Sequence, residues 1–287
     1  MRYTRIDAYA VRRQERAAVL RFEMPILIHV VAAALYAAAA WMRWPTRQHP
    51  AGTLAALLPP VALIVHAMTL ATSIATPQGL DISFVNAVSL VAALCVLVAW
   101  ISGFLRTLPG SAAIILPIAA VASLLPVLFT NPHRFPYAGE PWATAHIAIA
   151  LLAYAFLLVA AVTALLMNGL ERRLHRGLPT TDTESTPPLL TLERYVFRLV
   201  GAGFVLLTLT VASGALFAEQ VFGKPFTFTH KSLFTILAWL TFGSLLAGRW
   251  RFGWRGRQAA KWIVAGSVLL VLAYLGSKFV LEVVLHR

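Results

Sequence analysis

Carboxylates are few in this chain, cysteine is nearly absent, and long polar stretches are rare. The single cysteine among 287 residues is Cys95, inside an apolar run, so the chain has no disulfide, no CxxC redox pair and no cysteine zinc site. Asp and Glu together number 11, and all charged residues make up 12% of the chain. A glycine-rich phosphate loop, an HExxH pair, and a Ser-His-Asp or Cys-His order in a supporting context are all missing, so no enzyme is expected. What fills the space is apolar. Hydrophobic residues make up 59% and mean hydropathy is +0.76, more apolar surface than a soluble domain of this length can bury.

The expected class is therefore an integral membrane protein, and its distribution of hydrophobicity gives the architecture. Eight apolar runs, near 24–42, 53–71, 82–101, 111–129, 143–168, 196–217, 230–248 and 261–282, each have the length a helix needs to cross ~30 Å of hydrocarbon. Only helices or closed barrels satisfy their backbones in lipid, and no alternating ten-residue strand pattern appears. The fold class is all-α, a polytopic bundle of about eight transmembrane helices. No internal repeat is evident.

A net charge of +13 suggests nucleic acid in a soluble protein, but here the basic residues lie between apolar runs, where they set topology and meet anionic head groups. Nucleic acid is not an expected partner. With the amino end outside, 13 of the 24 Lys and Arg fall on the inner side and five on the outer, while six arginines precede Arg21 or are Arg21 itself. Those six conflict with the positive-inside rule. Residues 1–23 have neither the apolar core nor the cleavage site of a signal peptide, and Met24 directly precedes the first run. We read 1–23 as a basic extension, either a misassigned start or an amphipathic arm on the membrane surface, and 24–287 as the transmembrane domain. The loop 169–195 reads as a flexible inner linker and 249–262 as a basic, aromatic turn at the head groups.

Candidate functional residues concentrate on the outer side. An ionisable group within a span is costly unless it binds something. His66 and His146 fall at similar depths near the outer ends of spans two and five, His230 opens span seven there, and His286 follows span eight. His29 is also in a span, while His49, His133 and His175 read as loop residues. Each span histidine has two open readings, a metal ligand or a cross-helix hydrogen bond. Between spans six and seven, LLTLTVASGALFAEQVFGKPFTFTHK (206–231) brings Phe226, Phe228, His230, Lys224 and Lys231 together. That stretch suits a flat, anionic, iron-bearing ligand such as haem b: imidazoles for the iron (His146, His66, His286), cations including Arg134 for the propionates.

Three stretches carry a resemblance. SGALFAEQVFG (213–223) is similar to the SGAVWANEAWG-type stretch of the CcsA/CcmC family of cytochrome c assembly proteins. AHIAIALLAYAF (145–156) resembles that family's histidine-led helix, and 253–286 its last span, which ends in a histidine. Together they cover roughly 55 to 286, and the subgroup they most resemble is the YpjD type. The resemblance implies haem handling at the outer face of the bacterial inner membrane, with His146 and His286 matching the family's two outer haem ligands and His66 a histidine of the YpjD-type second span. Haem, lipid and other cytochrome c biogenesis components are the implied partners. Two departures stand out: FGKPFTFTHKS (222–232) replaces a tryptophan-rich signature, and Ala247 stands where the family has a membrane histidine. The alternatives are a membrane regulator of haem biosynthesis and a metal-ion transport or resistance protein. The scarcity of intramembrane carboxylates weighs against the last.

Overall fold

The computed structural model describes residues 26–44, 53–76, 79–81, 83–103, 105, 111–129, 141–176, 189–216 and 229–276. The expectations on 1–23, Arg134, Lys224, Phe226, Phe228 and His286 lie outside the described residues. Every expected apolar run is helical through its body where described, with Ser83 and Phe129 just outside their helices. The helices are α1 (Ile26–Met42), α2 (Thr53–Ile74), α3 (Phe84–Ile101), α4 (Ser111–Leu128), α5 (Pro141–His175), α6 (Leu189–Leu216), α7 (His230–Phe252) and α8 (Gly256–Val271), the last continued by a π turn, Leu272–Gly276. A two-residue antiparallel pair, β1 (Ala75–Thr76) with β2 (Gly79–Leu80), closes the α2–α3 hairpin. Six of the helices have 18 or more residues and are apolar enough to cross a membrane. The chain is a polytopic helical membrane protein.

Four boundaries extend the helix by four residues or more beyond the expected run, each at a charged helix end. α5 runs on to His175 and α6 begins at Leu189, so both ends of the expected linker are helical. α7 continues to Phe252, and only residues 253–255 separate it from α8. Gly253 makes that turn possible by taking φ 67°, in the left-handed region that favours glycine. Apolar-run reading stops where charges begin, but a helix continues through a head-group layer because its own backbone bonds are complete there.

The bundle has two halves, α1–α4 and α5–α8, joined where α3 packs against α5. Small residues make the close approach possible: Ala92, Ala99, Ala153, Ala155 and Ala160 are all buried in the shared core. Prolines inside spans leave backbone carbonyls without amides, and side chains take them up. Pro59 cannot donate to Ala55, whose carbonyl instead accepts from Arg43 Nε at 3.0 Å. Arg43 Nη1 also donates to Leu105 O at 2.7 Å, closing one end of the first half. Exposed aromatics mark the two ends of the bundle. Trp41, Trp44, Trp100, Trp250 and Phe252 ring the end that also carries Arg43 and Arg249, and Phe129 and Trp142 lie at the other. Such belts are the pattern of side chains at membrane–water interfaces.

Candidate functional site

At the end away from the arginines, four helices contribute to one mouth. His146 sits in the second turn of α5, half-buried against the last turn of α6. Its Nδ1 lies 2.7 Å from Ser213 Oγ, and the Ser213 hydroxyl also reaches Thr210 O at 3.1 Å. With the serine hydrogen on the Thr210 carbonyl, the serine oxygen accepts from Nδ1–H, and in that tautomer the neutral imidazole carries its lone pair on Nε2. Gly214 lies against the same ring: a Cβ there would stand 3.4 Å from His146 Cε1, at van der Waals contact.

The other two walls come from α7 and the π turn. Lys231, exposed in the first turn of α7, is within electrostatic reach of His146 and holds its ammonium 4.9 Å from the centroid of the Tyr274 ring. Tyr274 lies in the π turn and meets Tyr154 of α5 edge to face, ring centroids 6.1 Å apart. Tyr154 is buried, and its hydroxyl donates to Leu270 O at 2.7 Å, just where the α8 ladder widens. A π turn inserts a residue and swings the chain after it, so this bond fixes the position of Tyr274. The mouth thus combines a metal-ligating type of side chain, a cation and aromatic rings.

His66 is placed differently. It is fully buried between α1, α2 and α3, with Nε2 2.8 Å from Ser89 Oγ and Nδ1 3.3 Å from the Tyr36 hydroxyl. Tyr36 also packs its ring edge-on, centroids 5.6 Å apart. Both ring nitrogens have protein partners, so ligation by His66 would require one of them to leave. His29 is buried as well, and its Nδ1–H donates to Ser123 O at 2.6 Å, in the turn that Pro126 disrupts. His230 is exposed on the first turn of α7, whose N-cap Thr229 accepts from Ser232 N at 3.3 Å. His175 stays on the surface and donates to Glu171 O at 2.8 Å.

Of the expected site residues that are described, the structure brings His146 and Lys231 together and puts His66 in the other half of the bundle. It adds Ser213, Gly214 and Tyr274 to the first, and Tyr36 and Ser89 to the second. The sequence signal for these was weak but present: hydroxyls and a tyrosine inside apolar runs need partners. Among the described residues, no group of three or more His, Cys, Asp and Glu side chains could hold a metal ion.

Comparison with known proteins adds the family. A model described as Cytochrome C assembly protein matches residues 54–285. Over 230 residues the chain is 31% identical to Inner membrane protein YpjD of Escherichia coli (strain K12), covering 78% of this chain and 85% of that relative. It is 25% identical over 192 residues to Cytochrome c biogenesis protein CcsA of Thermosynechococcus vestitus, covering 55% and 60% of the two chains. No solved structure matches.

Proposed function

The chain belongs to the cytochrome c assembly protein family and is a multi-pass inner-membrane protein, and on that premise we propose that it binds haem at the outer mouth of α5–α8 and holds or relays it for cytochrome c assembly. The observation that carries this reading is the His146–Ser213 pair. A histidine that ligates iron through Nε2 commonly gives its Nδ1–H to a fixed acceptor, which sets the tautomer and the ring plane. Ser213 supplies that acceptor, and Gly214 lies beside the ring.

The remaining parts fit the same ligand. Lys231 can turn from the Tyr274 ring to a carboxylate, a stronger partner for an ammonium than an aromatic face. Haem b would bring two propionates and an iron that takes neutral imidazoles. His286, matched by resemblance to the family's second outer ligand, is the proposed partner of His146. Lys224, Phe226, Phe228 and His230 belong to the same proposed rim. His66 is the reserve candidate, since its nitrogens are already engaged.

The test is the absorption spectrum of detergent-purified protein, oxidised and reduced, before and after adding haem. The native chain is expected to give a bis-histidine haem spectrum. His146→Ala and His286→Ala are each expected to lose it, and His66→Ala to keep it. A native protein with no Soret band even after haem addition would overturn the proposal.

A further inference from the structure

One face of α7 stays clear of the rest of the bundle. Leu233, Leu237, Leu240, Ser244, Ala247 and Arg251 are all exposed and follow one another at alternating spacings of four and three residues, so they form a single stripe along the helix. From end to end the stripe is roughly 27 Å long at about 1.5 Å per residue, close to the ~30 Å of a hydrocarbon core. Arg251 is the cation at the foot of this lipid-facing stripe.

Its neighbours have other duties. Arg249 is held by Glu193 at 2.6 Å and covers the Phe197 ring, and Arg255 lies 3.6 Å from the same carboxylate. Among the described residues Arg251 enters no ion pair, and its guanidinium lies 5.8 Å from the centroid of the Phe252 ring. Trp250 and Phe252, 89% and 72% exposed, stand on either side of it around the helix, as aromatic residues do at head-group level. Charge then decides which head group suits the place. From Arg249 to Lys261 the chain carries Arg249, Arg251, Arg255, Arg257 and Lys261 and no carboxylate. Glu193 enters from α6, and Glu171 enters from α5, where a Cβ on Gly256 would stand 3.8 Å from its carboxylate. Five cations against two carboxylates leave the turn positive, which repels the ammonium of a zwitterionic head group and attracts one of net negative charge.

We propose that the foot of α7 is a selective site for an anionic phospholipid: the phosphate sits on the Arg251 guanidinium between Trp250 and Phe252, and the acyl chains run along Ala247, Ser244 and Leu240. A guanidinium takes a phosphate through two parallel N–H···O bonds, a stronger partnership than the ring face it now meets. Arg255 and Arg257 add positive potential from across the turn. General attraction to an anionic leaflet would involve the exposed arginines at the end of α5 equally, whereas the stripe ends on Arg251. The site lies at the opposite end of α7 from Lys231 and does not depend on haem or on His146.

Native mass spectrometry of the full-length, detergent-purified chain reads the site, with phosphatidylglycerol and phosphatidylcholine of the same acyl chains as probes. The first phosphatidylglycerol is expected to bind about fivefold or more tighter than the first phosphatidylcholine. Arg251→Gln is expected to bring the two lipids within about twofold of each other, while Arg173→Gln, which removes the same charge from the end of α5, keeps the native preference. Arg251 is exposed and outside the ion pairs of the turn, so its replacement leaves the fold intact. Excess inorganic phosphate is expected not to displace the bound lipid, because it has nothing to lay along the stripe. A native chain without preference would overturn the site, as would an equal loss in Arg251→Gln and Arg173→Gln. Displacement of phosphatidylglycerol by inorganic phosphate would overturn it too.

Discussion

A single hydroxyl decides how His146 presents itself. Ser213 has one hydrogen, and when it goes to Thr210 O the bond left for the imidazole is as acceptor, the arrangement the haem reading uses. Remove the hydroxyl and the ring is free to rotate and to change tautomer. Ser213→Ala is therefore expected to weaken haem binding by about tenfold or more, the size of effect that losing a ligand's supporting partner produces. Ser213→Thr keeps the acceptor and is expected to stay near the native affinity. Titration of each variant with haem, read at the Soret band, checks both. Equal affinities for all three would mean that Ser213 does not orient the ligand. The pairing of His146 with Ser213 was not legible from the sequence. His146 was singled out because imidazoles are rare in spans, but its partner depends on the rotation of α6 against α5, which spacing along a chain does not give.

Helices were the legible level. Apolar runs long enough to cross the bilayer had to be helices, and where described they are. The misread parts were amphipathic ends such as 169–175 and 189–195, whose charges looked like loop. Glu193 shows what those charges do. It is in the second turn of α6, receives Arg249 Nη1 at 2.6 Å and has Arg255 Nε at 3.6 Å, so one carboxylate ties α6 to both sides of the α7–α8 turn. Arg249 also lies 3.6 Å over the Phe197 ring. The turn itself depends on close packing. A Cβ on Gly248 would lie 2.4 Å from Trp254, a ring that stacks on Phe252 and tilts against Trp262 and so has little room to retreat. Gly248→Ala is expected to destabilise the protein by about 1–3 kcal/mol, as overpacking does. Thermal unfolding in detergent measures it, and an unchanged midpoint would show that Trp254 repacks freely.

Seen whole, the molecule separates its chemistry by end. Arginines and exposed tryptophans gather where α7 meets α8, and the histidine mouth lies at the opposite end of the same helices. Charge counting along the sequence anticipated this polarity, because Lys and Arg between apolar runs are placed by topology. What it could not separate was the role of the two deep histidines. His66 and His146 share a depth, and at the sequence level they looked like a pair of ligands. The fold puts them in different halves, one enclosed by Tyr36 and Ser89, the other held at the mouth by Ser213. The most direct test of the haem reading uses that separation. His146→Gly opens a space at the mouth, and added imidazole can occupy it. Haem titrations would be run on the native chain, on His146→Gly with and without imidazole, and on Glu193→Gln at the far end. Binding is expected to be lost in His146→Gly, to return with imidazole, and to be unchanged in Glu193→Gln. A His146→Gly protein that binds haem as tightly as the native chain, with no response to imidazole, would contradict the account.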